Sequence, residues 1–221
     1  RVIGLLSFFS GAEVYGPELL GKQNLVMAGG KVVAMGSDLS LPSGLGEVRE
    51  FELSGLKLVP GFVDQHVHMS GGGGEGGFQN RTPEVMLSHL TRAGITTAVG
   101  LLGTDATTRS IQGLLAKARG LEEEGVTTYI YTGAYEVPTR TLTESARSDL
   151  ILIDKVIGVG EVAIADHRSA HPSDQELIRL ASEARVGGML SGKAGVLHLH
   201  VGDGPHRLSS IFYLLETTDL P

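Results

Sequence analysis

The run Pro60-Gly61-Phe62-Val63-Asp64-Gln65-His66-Val67-His68 carries the strongest chemical pattern in the chain. On a β-strand, side chains at i and i+2 share a face, so Asp64, His66 and His68 project together. Two neutral imidazoles placed this way can grip one zinc-like ion. With eight histidines in 221 residues, chance spacing is the plainer alternative. Against chance stands the position of the pair, at the end of an apolar strand that runs straight into a glycine loop.

A second pair, His198 and His200, closes the apolar run Gly195-Val196-Leu197-His198-Leu199-His200-Val201-Gly202-Asp203. His200 lies at the rim beside Gly202 and is the better ligand. His198, one pleat deeper, is expected to pack or to stand behind a ligand. Glu161 is the third element. It sits inside Val156-Ile157-Gly158-Val159-Gly160-Glu161-Val162-Ala163-Ile164, where an unpaired carboxylate would be costly to bury. A cation partner removes that cost, and either a metal or a salt bridge would serve. A site with two ions about 3.5–4 Å apart needs an anionic bridge, which Glu161 could supply. Lys155 shares its parity but lies six residues earlier, at ~3.3 Å per residue nearly 20 Å towards the other end of the strand.

Gly71-Gly72-Gly73-Gly74-Glu75-Gly76-Gly77 follows the first histidine pair. Its glycines, Gly73 among them, let backbone approach a ligand closely and also suit a mobile lid. No Lys-Ser/Thr follows, so this is not a phosphate loop. Glu75 is either a partner for a substrate cation or a solvated loop acid. Tyr135 and Arg168 also fall in loops after strands, although Arg168 could simply pair with Asp166.

These residues need elements to hold them. Residues 1–58 read as short strands joined by glycine turns, with Gly29-Gly30 set between two apolar runs at hairpin spacing. The opening Arg1–Ser10 is expected to be a buried strand rather than a leader. From residue 59 the rhythm becomes strand, loop, helix. Strands are expected at Leu58–Val67, Ile95–Leu102, Val126–Thr132, Val156–Ile164 and Val196–Val201. Helices are expected at Pro83–Ala93, Ser110–Glu124, Ser145–Asp154, Asp174–Ala184 and His206–Thr217. Such alternation implies an α/β fold, a parallel sheet with crossover helices. The expected organisation is part of a small β-sandwich domain over 1–58, then over 59–221 the first five βα units of a (β/α)8 TIM-like barrel, in which a strand's C-terminal end meets the active-site rim.

Composition narrows the function. A net charge of −7 argues against nucleic-acid or anionic-membrane partners, which reward a basic face. The absence of cysteine excludes disulfides, thiolate metal sites and cysteine nucleophiles. No apolar run approaches the roughly 20 residues of a membrane-spanning helix. The chain reads as soluble and cytoplasmic.

Together these residues resemble the amidohydrolase superfamily, whose first barrel strand ends in Pro-Gly-x-x-Asp-x-His-x-His, and within it the isoaspartyl dipeptidases. The narrower likeness rests on the glycine loop through Glu75, Arg81-Thr82-Pro83-Glu84-Val85, Val99 to Asp105, Thr132-Gly133-Ala134-Tyr135, Asp166-His167-Arg168-Ser169-Ala170 and Arg185-Val186-Gly187-Gly188. It extends over essentially the whole chain. The resemblance implies a binuclear site holding two Zn2+ or similar divalent ions, with His66 and His68 on one ion and His200 on the other. It implies cleavage of the isopeptide bond of β-aspartyl dipeptides through a metal-bridging hydroxide. Glu75 would bind the substrate α-amino group, with Gly73 and Thr104 lining the pocket. Tyr135 would polarise the scissile carbonyl and Arg168 would take a substrate carboxylate. A homo-oligomer is also implied.

Two departures stand out. The family commonly carries a carbamylated lysine as the metal bridge; here Glu161 occupies that place in a segment one residue longer, and a bulge near Gly160 would let a shorter side chain reach the ions. The chain also ends before the family's remaining histidine ligand and its later aspartate, both metal ligand and general base, and reads as the front part of a longer polypeptide. Other amidohydrolases of dihydropyrimidinase or N-acyl-amino-acid deacylase type, and an inactive homologue acting as a binding subunit, are the alternatives.

Overall fold

The computed structural model describes residues 6–41, 43–44 and 46–221, which divide into two compact units after Gly61. In the first unit, β1 (Leu6–Tyr15), β2 (Leu19–Ala28), β3 (Lys31–Gly36), β4 (Val48–Glu52) and β5 (Lys57–Leu58) form one sheet. The strands β3, β2 and β1 run antiparallel in sequence, while β4 and β5 both join β1 in parallel. The expected hairpin forms between β2 and β3, with Gly29 and Gly30 both at positive φ. Residues 1–5 of the expected opening strand lie outside the described residues; its remainder belongs to β1. Ala12, Val14 and Leu25 form a small buried core with Phe9, Leu53 and Leu58 against it.

The second unit contains five βα repeats. The strands β6 (Phe62–Val67), β7 (Ile95–Gly100), β8 (Thr127–Thr132), β9 (Val156–Ile164) and β10 (Val196–Val201) pair in parallel and in sequence order. Each is followed by one helix: α1 (Leu87–Arg92), α2 (Ile111–Glu123), α3 (Ala146–Leu152), α4 (Asp174–Ser191) and α5 (Ser209–Thr217). The result is a curled half-barrel with all five strand C-termini at one edge.

Local chemistry explains the helices. Ser110 caps α2 by accepting from the Gly113 N–H, and Ile111, Leu114, Ala118 and Leu121 put one buried stripe against the sheet. Ser173 and Glu176 form a reciprocal capping box at the start of α4. α4 runs to Ser191, beyond the expected Ala184, and closes on Gly192 in the left-handed conformation. Gly187 lies at a contact surface of this helix, where a Cβ would lie 2.9 Å from Leu150.

α1 is shorter than expected. Pro83 does not begin a helix, because the preceding Thr82 N–H bonds Gly72 and the Val85 N–H bonds Met69, which fastens this stretch beside the glycine loop. The main core lies between sheet and helices and includes Met69, Leu102, Leu114, Ile130, Leu150, Val159 and Leu180. Lys155 is buried at the far end of β9, where its ammonium meets Glu122 and the Thr128 carbonyl.

Candidate active site

Parity along β6 and β10 brings four histidines to the C-terminal edge of the half-barrel, and β9 supplies the carboxylate between them. Glu161 is 1% exposed. Its strand carries an irregularity against β10: Leu197 pairs Val159 and Leu199 pairs Val162, so Gly160 and Glu161 both stand opposite His198. This is the bulge expected near Gly160.

The bulge presents both oxygens of Glu161 to the histidines. Oε2 lies 3.4 Å from His66 Nε2 and 3.8 Å from His68 Nε2. Oε1 lies 2.8 Å from His200 Nδ1. Ligand atoms of His66, His68 and Glu161 fall within 4.8 Å of one another, a spacing a single ion can span. Oε2 is buried yet has no hydrogen-bond partner. A buried carboxylate oxygen facing two imidazoles and no donor calls for a cation, so these residues fit a divalent metal.

Two of the imidazoles are held from behind. His66 Nδ1 is 3.0 Å from His198 Nε2. His200 Nε2 is 2.9 Å from Asp166 Oδ2. Burial lowers the His68 pKa against the opposing pull of Glu161, which keeps its ring lone pair available. Asp64 faces the same way in sequence, but its carboxylate accepts from the His66 backbone N–H at 3.0 Å and caps the strand end.

Around this cluster stand the polar residues expected to meet substrate. The Tyr135 hydroxyl is 3.0 Å from His200 Nδ1. Burial, and then the Glu161 charge, push its pKa up to about 12, so the phenol remains a hydrogen-bond donor. Glu75 Oε1 accepts from Thr104 Oγ1 at 3.0 Å and from Arg168 Nη1 at 3.3 Å. Its own backbone N–H and then Thr104 hold its carboxyl below the ordinary range.

Arg168 does pair with Asp166: Nε and Nη2 donate to the two carboxylate oxygens at 2.9 and 2.8 Å. Nη1 is the guanidinium nitrogen turned towards Glu75. That pairing holds Asp166 well below the usual carboxylate range and raises the Arg168 pKa further. Gly73 lies at the pocket wall with φ +68, where a Cβ would be 2.7 Å from the Asn80 carbonyl oxygen.

Arg109 and Asp105 escaped the sequence reading. The Arg109 side chain is buried and donates to the carbonyls of Ser70, Gly72 and Gly73 at 3.3, 2.7 and 3.4 Å. Asp105 receives Arg109 Nη1 at 3.2 Å and Arg81 Nη1 at 3.0 Å. Burial would raise the Asp105 pKa, but bonds from the Thr108 hydroxyl and N–H outweigh it and hold the carboxyl well below its usual range. The available signal was the i, i+4 spacing of Asp105 and Arg109 just after a barrel strand, with threonines at 107 and 108 to close a turn on the acid.

Among the described residues no helix is long and apolar enough to cross a membrane. No protein-family model matches the chain. Several solved structures share the fold at low identity: a D-hydantoinase matches 90% of this chain and 41% of its own length, with a TM-score of 0.60 and 15% identity. Half-barrel, leading sheet and strand-edge histidines together define an amidohydrolase-type fold.

The particular protein that the chain is similar to in these comparisons is β-aspartyl dipeptidase. The enzyme from the thermophilic, keratin-degrading Fervidobacterium islandicum AW-1 matches 98% of the chain with 47% identity and a TM-score of 0.94. The same enzyme in complex with the dipeptide β-Asp-Leu matches 99% of the chain at the same identity and TM-score. The chain spans 59% and 56% of the length of these two relatives.

Proposed function

We propose that the protein carrying this chain is a metal-dependent dipeptidase that cleaves the isopeptide bond of β-aspartyl dipeptides. The observation that carries this reading is the group formed by Glu75, Tyr135 and Arg168 beside the histidine–Glu161 cluster: Arg168 bonds Glu75 and lies over the Tyr135 ring, and the Tyr135 hydroxyl reaches His200. A substrate with a free ammonium group, a scissile carbonyl and a carboxylate requires an acid, a neutral donor and a guanidinium in one pocket. The crystallised complex of the F. islandicum enzyme with β-Asp-Leu supports the same substrate class.

His66 and His68 would hold one zinc-like ion and His200 the other, with one oxygen of Glu161 on each side. Such a pair supplies Lewis-acid polarisation and lowers the pKa of a water towards neutrality. The remaining work falls to the chain's own side chains. Glu75, kept ionised by Thr104, pairs with the substrate ammonium at the floor of the glycine loop. Tyr135 Oη, kept protonated, donates to the carbonyl oxygen as negative charge develops there. Arg168 is fixed by Asp166 and offers Nη1 to a carboxylate. The glycine loop carrying Gly73 and Glu75 is fastened by Arg109, which steadies Glu75 for the substrate ammonium.

In this reading residues 1–58 are the N-terminal part of a small β-sandwich domain and 59–221 the first part of the hydrolase barrel. The whole protein is a cytoplasmic homo-oligomer. The test is elemental analysis and β-Asp-Leu turnover by the whole protein, beside its His66→Ala variant. Two zinc-like ions per chain and measurable turnover, both reduced in the variant, are expected. A metal-free wild type, or a metalloprotein inert towards every β-aspartyl dipeptide offered, would overturn the proposal.

A further inference from the structure

We propose that His198 is a positioning residue for the metal centre, accepting a hydrogen bond from His66 Nδ1–H and so turning the His66 Nε2 lone pair towards the ion. The inference rests on the metal reading above. It concerns a residue that makes no contact with substrate in that reading.

Three observations place His198 in this role. First, its Nε2 lies 3.0 Å from His66 Nδ1, across a sequence separation of 132 residues. Second, its ring is clamped: Tyr131 stacks on it with centroids 5.0 Å apart and planes 15° from parallel. Third, His198 stands opposite the two-residue irregularity at Gly160 and Glu161. The backbone step that delivers the carboxylate therefore also faces the residue that steadies one of the imidazoles.

The tautomers follow from the ligand role. A neutral imidazole that binds a cation through Nε2 carries its proton on Nδ1. His66 Nε2 is the atom facing Glu161, so its Nδ1–H must donate, and His198 Nε2 must accept. A histidine ligand usually finds such an acceptor in a carboxylate or backbone carbonyl, and losing it typically weakens metal binding about 10–100-fold. Here a second imidazole fills the place.

The alternative is that His198 only fills space against Tyr131. Two substitutions in the whole protein separate these roles, read by zinc affinity in competition with a chelator rather than by activity. His198→Phe keeps the ring stack and removes the acceptor. His198→Gln removes the stack and keeps an acceptor. Positioning predicts that His198→Phe weakens zinc binding about 10–100-fold, while His198→Gln stays within about threefold of wild type. Equal affinity of His198→Phe and wild type, or equal losses in both variants, overturns it.

Ring 15N spectra of the zinc-loaded wild type supply a test that needs no variant. His198 is expected with its proton on Nδ1 and with Nε2 free to accept; a proton on His198 Nε2 overturns the proposal. A wild type that binds no zinc sensitive to His66→Ala would defeat the metal reading as well. Tight wild-type binding with an unaffected His198→Phe defeats only the positioning role.

Discussion

Glu161 Oε1 lies 2.8 Å from His200 Nδ1, although the two residues belong to neighbouring strands and are 39 positions apart in sequence. The other oxygen of the same carboxylate faces His66 and His68. One side chain therefore faces two sets of imidazoles, each with its own oxygen. A bridge between two ions needs this division, which a carboxylate pointing along the strand axis could not provide.

A glutamate is a carboxylate from the moment it is synthesised, whereas a lysine bridge must first acquire one from carbon dioxide. Metal loading is accordingly expected to be the same in bicarbonate-free and bicarbonate-containing buffer, by elemental analysis after chelator stripping and zinc return. Glu161→Gln, which keeps the shape and removes the charge, should lose most of the bound metal. A requirement for bicarbonate would transfer the bridging role to some other residue, and Lys155 is already occupied by Glu122 at the far end of the strand.

Tyr135 is expected to act through its proton. Its pKa is raised from the ordinary 10.0 to about 12, so the donor form persists throughout that interval and is lost only above it. Tyr135→Phe should lower kcat by about 10²–10³ with little change in KM, the pattern of a contact made mainly in the transition state. Any alkaline decline in rate below the raised pKa should survive in the variant. A variant that removes such a decline would show that the phenol titrates there and that the assignment is wrong.

Glu75 is expected to act through its charge. Its pKa is depressed below 4.5, so as pH falls the anion persists through the ordinary carboxylate range and disappears only beneath it. KM for β-Asp-Leu should therefore not rise through loss of this charge until the pH is below about 4.5. Glu75→Gln should reduce kcat/KM about 10–100-fold, mostly through KM, as expected when a charge-assisted hydrogen bond is lost. Full retention of KM in that variant would remove the main support for a substrate with a free amino group.

The parts of this site visible in the sequence are those governed by one strand at a time. The common face of His66 and His68 follows from a period of two, and so does the rim position of His200. Glu161 stood out because an acid in an apolar strand needs a partner, and the extra residue at Gly160 does become an irregularity in the ladder. The relations that were not visible all join distant segments. His198 reaches His66 across 132 residues, Asp166 reaches His200 across 34, and Arg109 reaches back to Gly72 across 37. The same limit explains α1: Pro83 has the composition of a helix start, but a tertiary pairing had already claimed its neighbours' N–H groups.

Arg109 provides the clearest case of a residue that can be tested separately from the chemistry. Its guanidinium satisfies three carbonyls at the base of the glycine loop and is itself neutralised by Asp105, which also holds Arg81. Glycine-rich backbone has many conformations available when unfastened, so fixing this loop depends on such bonds. Arg109→Met keeps the aliphatic stem and removes every donor. Three carbonyls then compete for water, and Asp105 keeps only Arg81 and its turn. The loop should open more often, giving faster proteolytic cleavage within 71–77 and a KM for β-Asp-Leu raised about tenfold, equivalent to the loss of roughly one hydrogen bond to a charged group. Bound metal should be unchanged, because Arg109 makes no hydrogen bond or ion pair with His66, His68, Glu161 or His200. Loss of metal together with KM would instead mean that the loop and the ion cluster form one cooperative unit.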